Sequence, residues 1–437
     1  MLPDTPGHLR LAHPSRRSRP VRAAAGLAVA FALVVAGCSG SSSDAGSDGT
    51  STTTSTAPSS SSTGRSTTST TAPAALEPFT GSDFYAPPDP LPTGDHGTLV
   101  RYQPVTPTVV AGADTYRIMY LSESLEGDAI AVTGTVLVPK AAAPEGGRPL
   151  LAVAHGTSGI ADECAPSKAP AGELDLMADQ VEAGWLIAAT DYEGLGTPGR
   201  HPYLVGPSEG RGTLDAIVAA GALPAADPGS RLAIAGYSQG GHGALWAGQL
   251  AKSWTPDLEL VGTFAGAPAT EMGLILAGAP DGFKLMMIAG YAAAYPQADP
   301  SLYLTPKGVG LLDAVDKGCT RDVFRAVGGI PDAELLRADR AKAGPWTTLP
   351  RENDPGRAKV DDPILIIHSD QDDTVPVALS GRLFDRMCGL GQVVERRVLV
   401  GGGTHVGAAP EAFKQGLAWL EQRFEGSAEA RSTCPGR

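Results

Sequence analysis

The chain has 437 residues, 42% of them apolar, and carries 34 basic against 47 acidic side chains, a formal net charge of −13. So acidic a balance speaks against nucleic-acid partners, and the length allows one large α/β domain with an insertion. Apart from Cys38, the four cysteines Cys164, Cys319, Cys388 and Cys434 form an even set, which in an exported protein points to two disulfides.

The first 37 residues have the pattern of an export signal. Arg16, Arg17, Arg19 and Arg22 form a basic region, and residues 23–37 are an apolar run too short to span a bilayer. Arg16-Arg17 is similar to a twin-arginine pair, but Pro20 and Arg22 stand where that pattern wants apolar residues. The run ends in Val35-Ala36-Gly37-Cys38, which resembles the lipobox of bacterial lipoproteins. That resemblance implies lipidation at Cys38 and a protein exported and held on the outer face of the cell membrane by its acyl chains. Residues 38–77 are mostly Ser, Thr, Gly, Asp, Ala and Pro. They cannot bury enough apolar surface to offset ordering entropy, so a flexible tether is expected. The catalytic domain is expected over residues 78–430, without internal repeats.

Within that domain residues 116–121 and 130–138 alternate with a period near two, as antiparallel strands do. Residues 149–154 are a continuous apolar run, the pattern of a strand covered on both faces. A helical pattern near 174–183, a strand over 185–190 and an amphipathic stretch over 210–223 follow. Residues 231–235, 258–264, 363–367 and 393–400 supply further strands. Strands alternating with helices mean a mostly parallel sheet with helices on both faces. Residues 272–351 break the alternation with short helical pieces and no convincing strand, and are expected to form a mainly helical cap. Its apolar clusters, at 274–276 and 283–288, are expected to wall an acyl-binding site.

The motif Gly236-Tyr237-Ser238-Gln239-Gly240 lies between a strand pattern and a helix pattern, as the nucleophile elbow of an α/β-hydrolase requires. Hydrolysis by Ser238 needs a base, an acid to orient it and donors for the oxyanion. In this fold the order is Ser, acid, His. Among eight histidines only His405, in a Gly-rich loop, lies beyond the aspartate-rich stretch that should hold the acid. Three aspartates compete there. Aligning Val375-Pro376 on the G-x-x-D-x-x-V-P pattern of many α/β-hydrolases selects Asp372, with Asp370 the alternative and Asp373 a turn or helix-cap residue. His155-Gly156-Thr157-Ser158-Gly159 resembles an oxyanion loop, which assigns the two backbone donors to Thr157 and Gln239. His155 and His242 are expected to serve structure. No cluster has metal-ligand spacing and no phosphate-binding loop follows a first strand, so no metal or other cofactor is expected.

The blocks Thr190-Asp191-Tyr192-Glu193-Gly194-Leu195-Gly196, His201-Pro202-Tyr203-Leu204-Val205-Gly206 and Ser208-Glu209-Gly210-Arg211 look like the secretory lipase family. The resemblance covers most of residues 79–424. It implies an α/β-hydrolase fold with a cap, a Ser–Asp–His triad and lipase activity on lipid esters. Asp191 and Tyr192 fall at a strand's C-terminal end, where ligands bind in such sheets, which makes them pocket candidates, with a turn and helix-cap role as the alternative. Acyl preference stays open, because the cap has the least recognisable sequence. A short-chain or cutinase-like esterase is the rival within enzymes. A non-catalytic binding lipoprotein on the same scaffold is the rival outside them. Three disulfide pairings are possible. Cys164–Cys319 and Cys388–Cys434 are favoured, the second because both cysteines lie in the C-terminal part.

Overall fold

The computed structural model describes residues 76–436 except 171, 343 and 428. The export segment, Cys38 and nearly all of the tether lie outside the described residues. Nine strands among these residues form one sheet: β1 (Leu99–Val105), β2 (Ala113–Glu123), β3 (Ala129–Pro139), β4 (Arg148–Ala154), β5 (Leu186–Thr190), β6 (Pro228–Tyr237), β7 (Glu259–Gly266), β8 (Ile364–Ser369) and β9 (Val394–Leu399). Their order is β1-β2-β3-β5-β4-β6-β7-β8-β9. The strands β1, β2 and β3 run antiparallel, and β3 joins β5 antiparallel. From β5 to β9 every pairing is parallel.

The helices are α1 (Ala178–Glu182), α2 (Gly206–Ala220), α3 (Gln239–Trp254), α4 (Met272–Gly278), α5 (Asp281–Ala294), α6 (Pro306–Gly310), α7 (Leu312–Lys317), α8 (Thr320–Val327), α9 (Asp332–Leu335), α10 (Gly344–Glu352), α11 (Val377–Gly389) and α12 (His405–Glu425). The central strands have no solvent-facing side because helices cover both faces of the sheet. On one face Leu150, Ala152 and Ala154 pack with Leu214 of α2 and Ala244 of α3. On the other, Leu151 and Val153 pack with Val181 of α1 and Phe413 of α12. The strand period of two thus splits each apolar run between two cores. The edge strand β9 is only partly buried and carries Glu395, Arg396 and Arg397, charges that blunt an open edge. The whole is an α/β-hydrolase fold.

Helices α4 to α10 interrupt the sheet between β7 and β8 and form the cap. Here one expectation needs correcting. Of the two clusters Phe283 alone lines the cavity beside Ser238; Leu276, Leu285, Met286, Met287 and Ile288 pack instead with Tyr291, Trp346 and Leu349 of the cap and with Tyr203, Leu204, Val205 and Val375 beneath it. An inserted layer of short helices must bury its own apolar faces before it can offer any to a ligand. Two disulfides close long loops, Cys164–Cys319 between the loop after β4 and the cap, and Cys388–Cys434 between α11 and the C-terminal segment.

Candidate active site

Strand β6 ends at Tyr237 and helix α3 begins at Gln239, leaving Ser238 alone in the turn with φ 60° and ψ −118°. A non-glycine residue reaches that left-handed region only when its surroundings hold it there. The neighbours must be glycine. A Cβ on Gly236 would stand 2.1 Å from the Gly240 carbonyl oxygen, and one on Gly240 1.9 Å from the Ala154 carbonyl oxygen.

Ser238 Oγ donates to His405 Nε2 at 2.8 Å, and His405 Nδ1 donates to Asp372 Oδ2 at 2.6 Å. His405 was expected in a loop; it is instead the first residue of α12, one place beyond the N-cap Thr404, whose hydroxyl accepts from the Gly407 N–H. The neighbouring aspartates hold this loop. Asp370 accepts from the Gly401 N–H at 2.8 Å, and Asp373 from the His405 N–H at 3.1 Å. Tyr237 supports the ring, its hydroxyl donating to the His405 carbonyl at 2.7 Å.

Asp372 carries four hydrogen bonds. Its Oδ1 accepts the N–H groups of Thr374 and Val375, at 2.9 and 2.7 Å. Its Oδ2 accepts from His405 and, at 3.1 Å, from His368 Nε2. Burial alone would raise its pKa, but the bonds from His368 and His405 outweigh it and hold the carboxyl well below the usual range.

A cavity of about 580 Å³ opens beside Ser238 and His405. Its wall comes chiefly from the β4 loop and the segment after it, including Thr157, Ser158, Pro166, Leu174 and Leu176, and from Val406, Ala409 and Pro410 on α12. The cap contributes only Phe283 and Thr320. Gln239, the first residue of α3, has an N–H with no intrahelical acceptor. The Thr157 N–H makes no hydrogen bond to another described residue, while its hydroxyl meets the Tyr203 hydroxyl at 2.8 Å. The loop after β4 is braced from inside the cavity: Glu173 Oε1 accepts the Gly156 N–H at 2.9 Å. Burial raises the Glu173 carboxyl above its ordinary value. His155 turns its ring nitrogens to the carbonyls of Gly156 and Asp191.

The two possible pocket residues part company. Asp191 lines the cavity, but its oxygens are taken by Thr133 Oγ1, the Ser167 N–H and the Ser167 hydroxyl. Tyr192 does not line it. Its side chain lies wholly in the core and its hydroxyl donates to the His155 carbonyl at 3.0 Å, bracing the loop after β4 from behind.

Behind the elbow lies a buried polar cluster that sequence reasoning missed. Glu209 on α2 accepts from Gln239 Nε2 at 2.8 Å and meets His242 Nδ1 at 2.5 Å. His242 Nε2 meets the Asn353 carbonyl, just past the end of the cap, at 2.8 Å. With acceptors on both nitrogens the imidazole carries both hydrogens. Burial would lower its pKa, and the Glu209 carboxylate overrides burial and raises it. His201 behaves oppositely: it donates to the Glu193 carbonyl, accepts from Gln239, and burial lowers it to about 4. The only sequence signals were an acid inside a Gly-rich helix start and a histidine four residues beyond Ser238.

A profile of the family described as Secretory lipase matches residues 171–431. The chain belongs to the secretory lipase family. Its curated relatives include the secreted triacylglycerol lipase LIP4 of Malassezia globosa, 26% identical over 80% of this chain and 82% of that one. They also include a Mycobacterium tuberculosis protein named "Probable inactive lipase MT1628", 25% identical over 80% of this chain and 84% of its own. Among solved structures, Candida antarctica lipase A in its closed state superposes with a TM-score of 0.66 at 23% identity, covering 82% of this chain and 88% of that one. At that identity the likeness establishes the fold. Membership of the secretory lipase family supports ester hydrolysis as the class of chemistry and export as the destination.

Proposed function

We propose that the chain is a serine-dependent carboxylic ester hydrolase that acts on acylglycerols, triacylglycerol above all, through an acyl-enzyme on Ser238. The hydrogen-bonded series Ser238–His405–Asp372, which brings together the turn between β6 and α3, the loop after β8 and the start of α12, is the observation that carries this reading. His405 takes the Ser238 proton as Oγ attacks the ester carbonyl, and Asp372 holds the imidazole with Nδ1–H turned inward. The N–H groups of Gln239 and Thr157 receive the oxyanion. His405 then passes its proton to the leaving alkoxide, and a water activated by the same imidazole releases the acid. The acyl chain lies in the apolar cavity walled by Leu174, Leu176 and α12.

Residues 1–37 act in this proposal as the export signal, Cys38 as the lipidated N-terminus, and residues 38–77 as the tether that lets the domain 78–430 reach substrate beyond the bilayer surface. A non-catalytic binding protein is the competing class, and one relative's name points that way. The intact hydrogen-bonded series favours catalysis. A fluorophosphonate probe should label the wild type at Ser238 and leave Ser238→Ala unlabelled. Hydrolysis of p-nitrophenyl esters by Ser238→Ala should fall by several orders of magnitude, on the order of 10⁶. Activity of the variant above a tenth of wild type would reject Ser238. A rate that peaks at acetate or butyrate and falls with chain length would move the assignment to a short-chain esterase.

A further inference from the structure

We propose that His368 is a positioning residue for this reaction, a second histidine on the aspartate that orients the base, acting through Asp372 and not on substrate. It stands at the end of β8, four residues before Asp372 and wholly buried. Its Nε2 faces two acceptors, Asp372 Oδ2 at 3.1 Å and the Val375 carbonyl at 2.9 Å, so that nitrogen carries the hydrogen. Its Nδ1 is buried and makes no hydrogen bond, so the ring is committed to this one direction. A buried ring nitrogen left without a partner is costly. Phenylalanine or leucine would fill the same core position without that cost, so packing alone gives no reason for an imidazole here.

The arrangement has a specific chemical consequence. Oδ2 is the oxygen that accepts from His405, so His368 and His405 share one electron-rich atom. The second donor keeps the carboxylate ionised in a buried place and fixes the direction in which Oδ2 presents itself. It also takes a share of the charge on the oxygen to which His405 donates. The other titratable groups facing the pair are accounted for. Tyr237 donates to the His405 carbonyl, Ser238 donates to Nε2, and Asp373 accepts the His405 N–H. None of them donates to Asp372.

Given the triad proposed above, the test is a pH profile of kcat/KM with a p-nitrophenyl ester for wild type, His368→Leu and His368→Gln. Folding is checked by near-ultraviolet circular dichroism and the triad by fluorophosphonate labelling. In His368→Leu the acid limb should move to higher pH by about half a unit or more, because either the imidazolium or a protonated Asp372 now persists further up. Its plateau kcat should fall about tenfold with KM little changed, far less than loss of the aspartate itself. In His368→Gln the amide Nε2–H can take the place of the ring's, and the limb and most of the rate should return. A folded, labelled His368→Leu with the wild-type limb, or a His368→Gln no better than His368→Leu, overturns the proposal. Should His368→Leu not fold, His368→Asn, whose shorter amide cannot reach Oδ2, takes its place under the same criteria. A wild type that resists labelling would instead overturn the triad.

Discussion

A single carboxylate shows how closely the site is specified at the scale of residues. Asp372 has one oxygen on two backbone N–H groups and the other on two imidazoles, which leaves it neither free rotation nor reason to bind a proton. Because its folded-state pKa is depressed, it contributes stability above the ordinary carboxylate range, and that contribution is lost as pH falls through the folded value. Asp370, two residues earlier, instead accepts one N–H from the loop that leads to His405. Asp372→Asn should therefore cost on the order of 10⁴ in kcat by stranding the wrong imidazole tautomer, while Asp370→Asn costs far less. Steady-state kinetics on the two purified variants decides it, and the opposite ranking would move the acid to Asp370. Ser238, Asp372 and His405 were legible in the sequence because the chemistry demands three residue types in one chain order. His368, Glu173 and Tyr203 were not. Each acts through a contact between segments distant in sequence or through a turn, and no spacing rule announces such contacts.

Elements show the same division. The central strands β4 to β8 stood out because a parallel sheet covered on both faces needs continuous apolar runs. The edge strand β1 and helix α12 did not: the first is half-buried, with no continuous apolar run, and the second begins inside what reads as a glycine loop and carries Pro410 in its second turn. Helices α2 and α3 are joined by the buried Glu209–His242 pair, and His242 in turn holds Asn353 beyond the end of α10. Trp246 on α3 donates to the same Asn353 carbonyl, and the Asn353 side chain accepts the Gly206 N–H at the start of α2. The elbow helix and the end of the cap are thus one polar unit. Replacing one partner of such a pair leaves a buried charge without compensation, at a cost of about 3–5 kcal/mol. His242→Leu should lower the unfolding free energy by about that amount at pH 6. The sign with pH follows from the raised pKa of His242. Its contribution is complete below the ordinary histidine value, about 6.5, and is lost as pH rises through the folded value. Urea unfolding of wild type against the double variant Glu209→Gln, His242→Leu, which leaves no buried charge behind, should show the gap between the two narrowing as pH rises above 6. A gap that is constant or widens with pH would mean that His242 is not held charged.

At the scale of the whole molecule the cap matters less as a wall than as a weight fastened at two places. One fastening is the polar unit behind the elbow. The other is Cys164–Cys319, reinforced by the bridge between Gly159 and Cys319 and by the Thr320 N–H donating to the Ser158 carbonyl at 3.1 Å. Ser158 and Thr320 both line the cavity, so this disulfide ties the cap to the loop after β4 at the candidate site itself. The second disulfide, Cys388–Cys434, packs with Met387 and Val394, and neither of its cysteines lines the cavity. Loop-closure entropy assigns roughly 5 kcal/mol to a loop of 155 residues and roughly 4 to one of 46, so the two bonds are nearly equal as cross-links. Their effects on activity should be unequal. Paired substitution of Cys388 and Cys434 by serine should lower Tm while leaving kcat/KM at 25 °C close to wild type. Paired substitution of Cys164 and Cys319 should lower Tm to a similar extent and also reduce kcat/KM, because the Thr157–Ser158 loop loses the contact that fixes its distance from the cap. Thermal unfolding and initial rates on the two double variants supply the comparison. Equal losses of activity in both would show that the first disulfide serves the fold alone and that the loop after β4 holds its shape through Glu173 and Tyr192 without the cap.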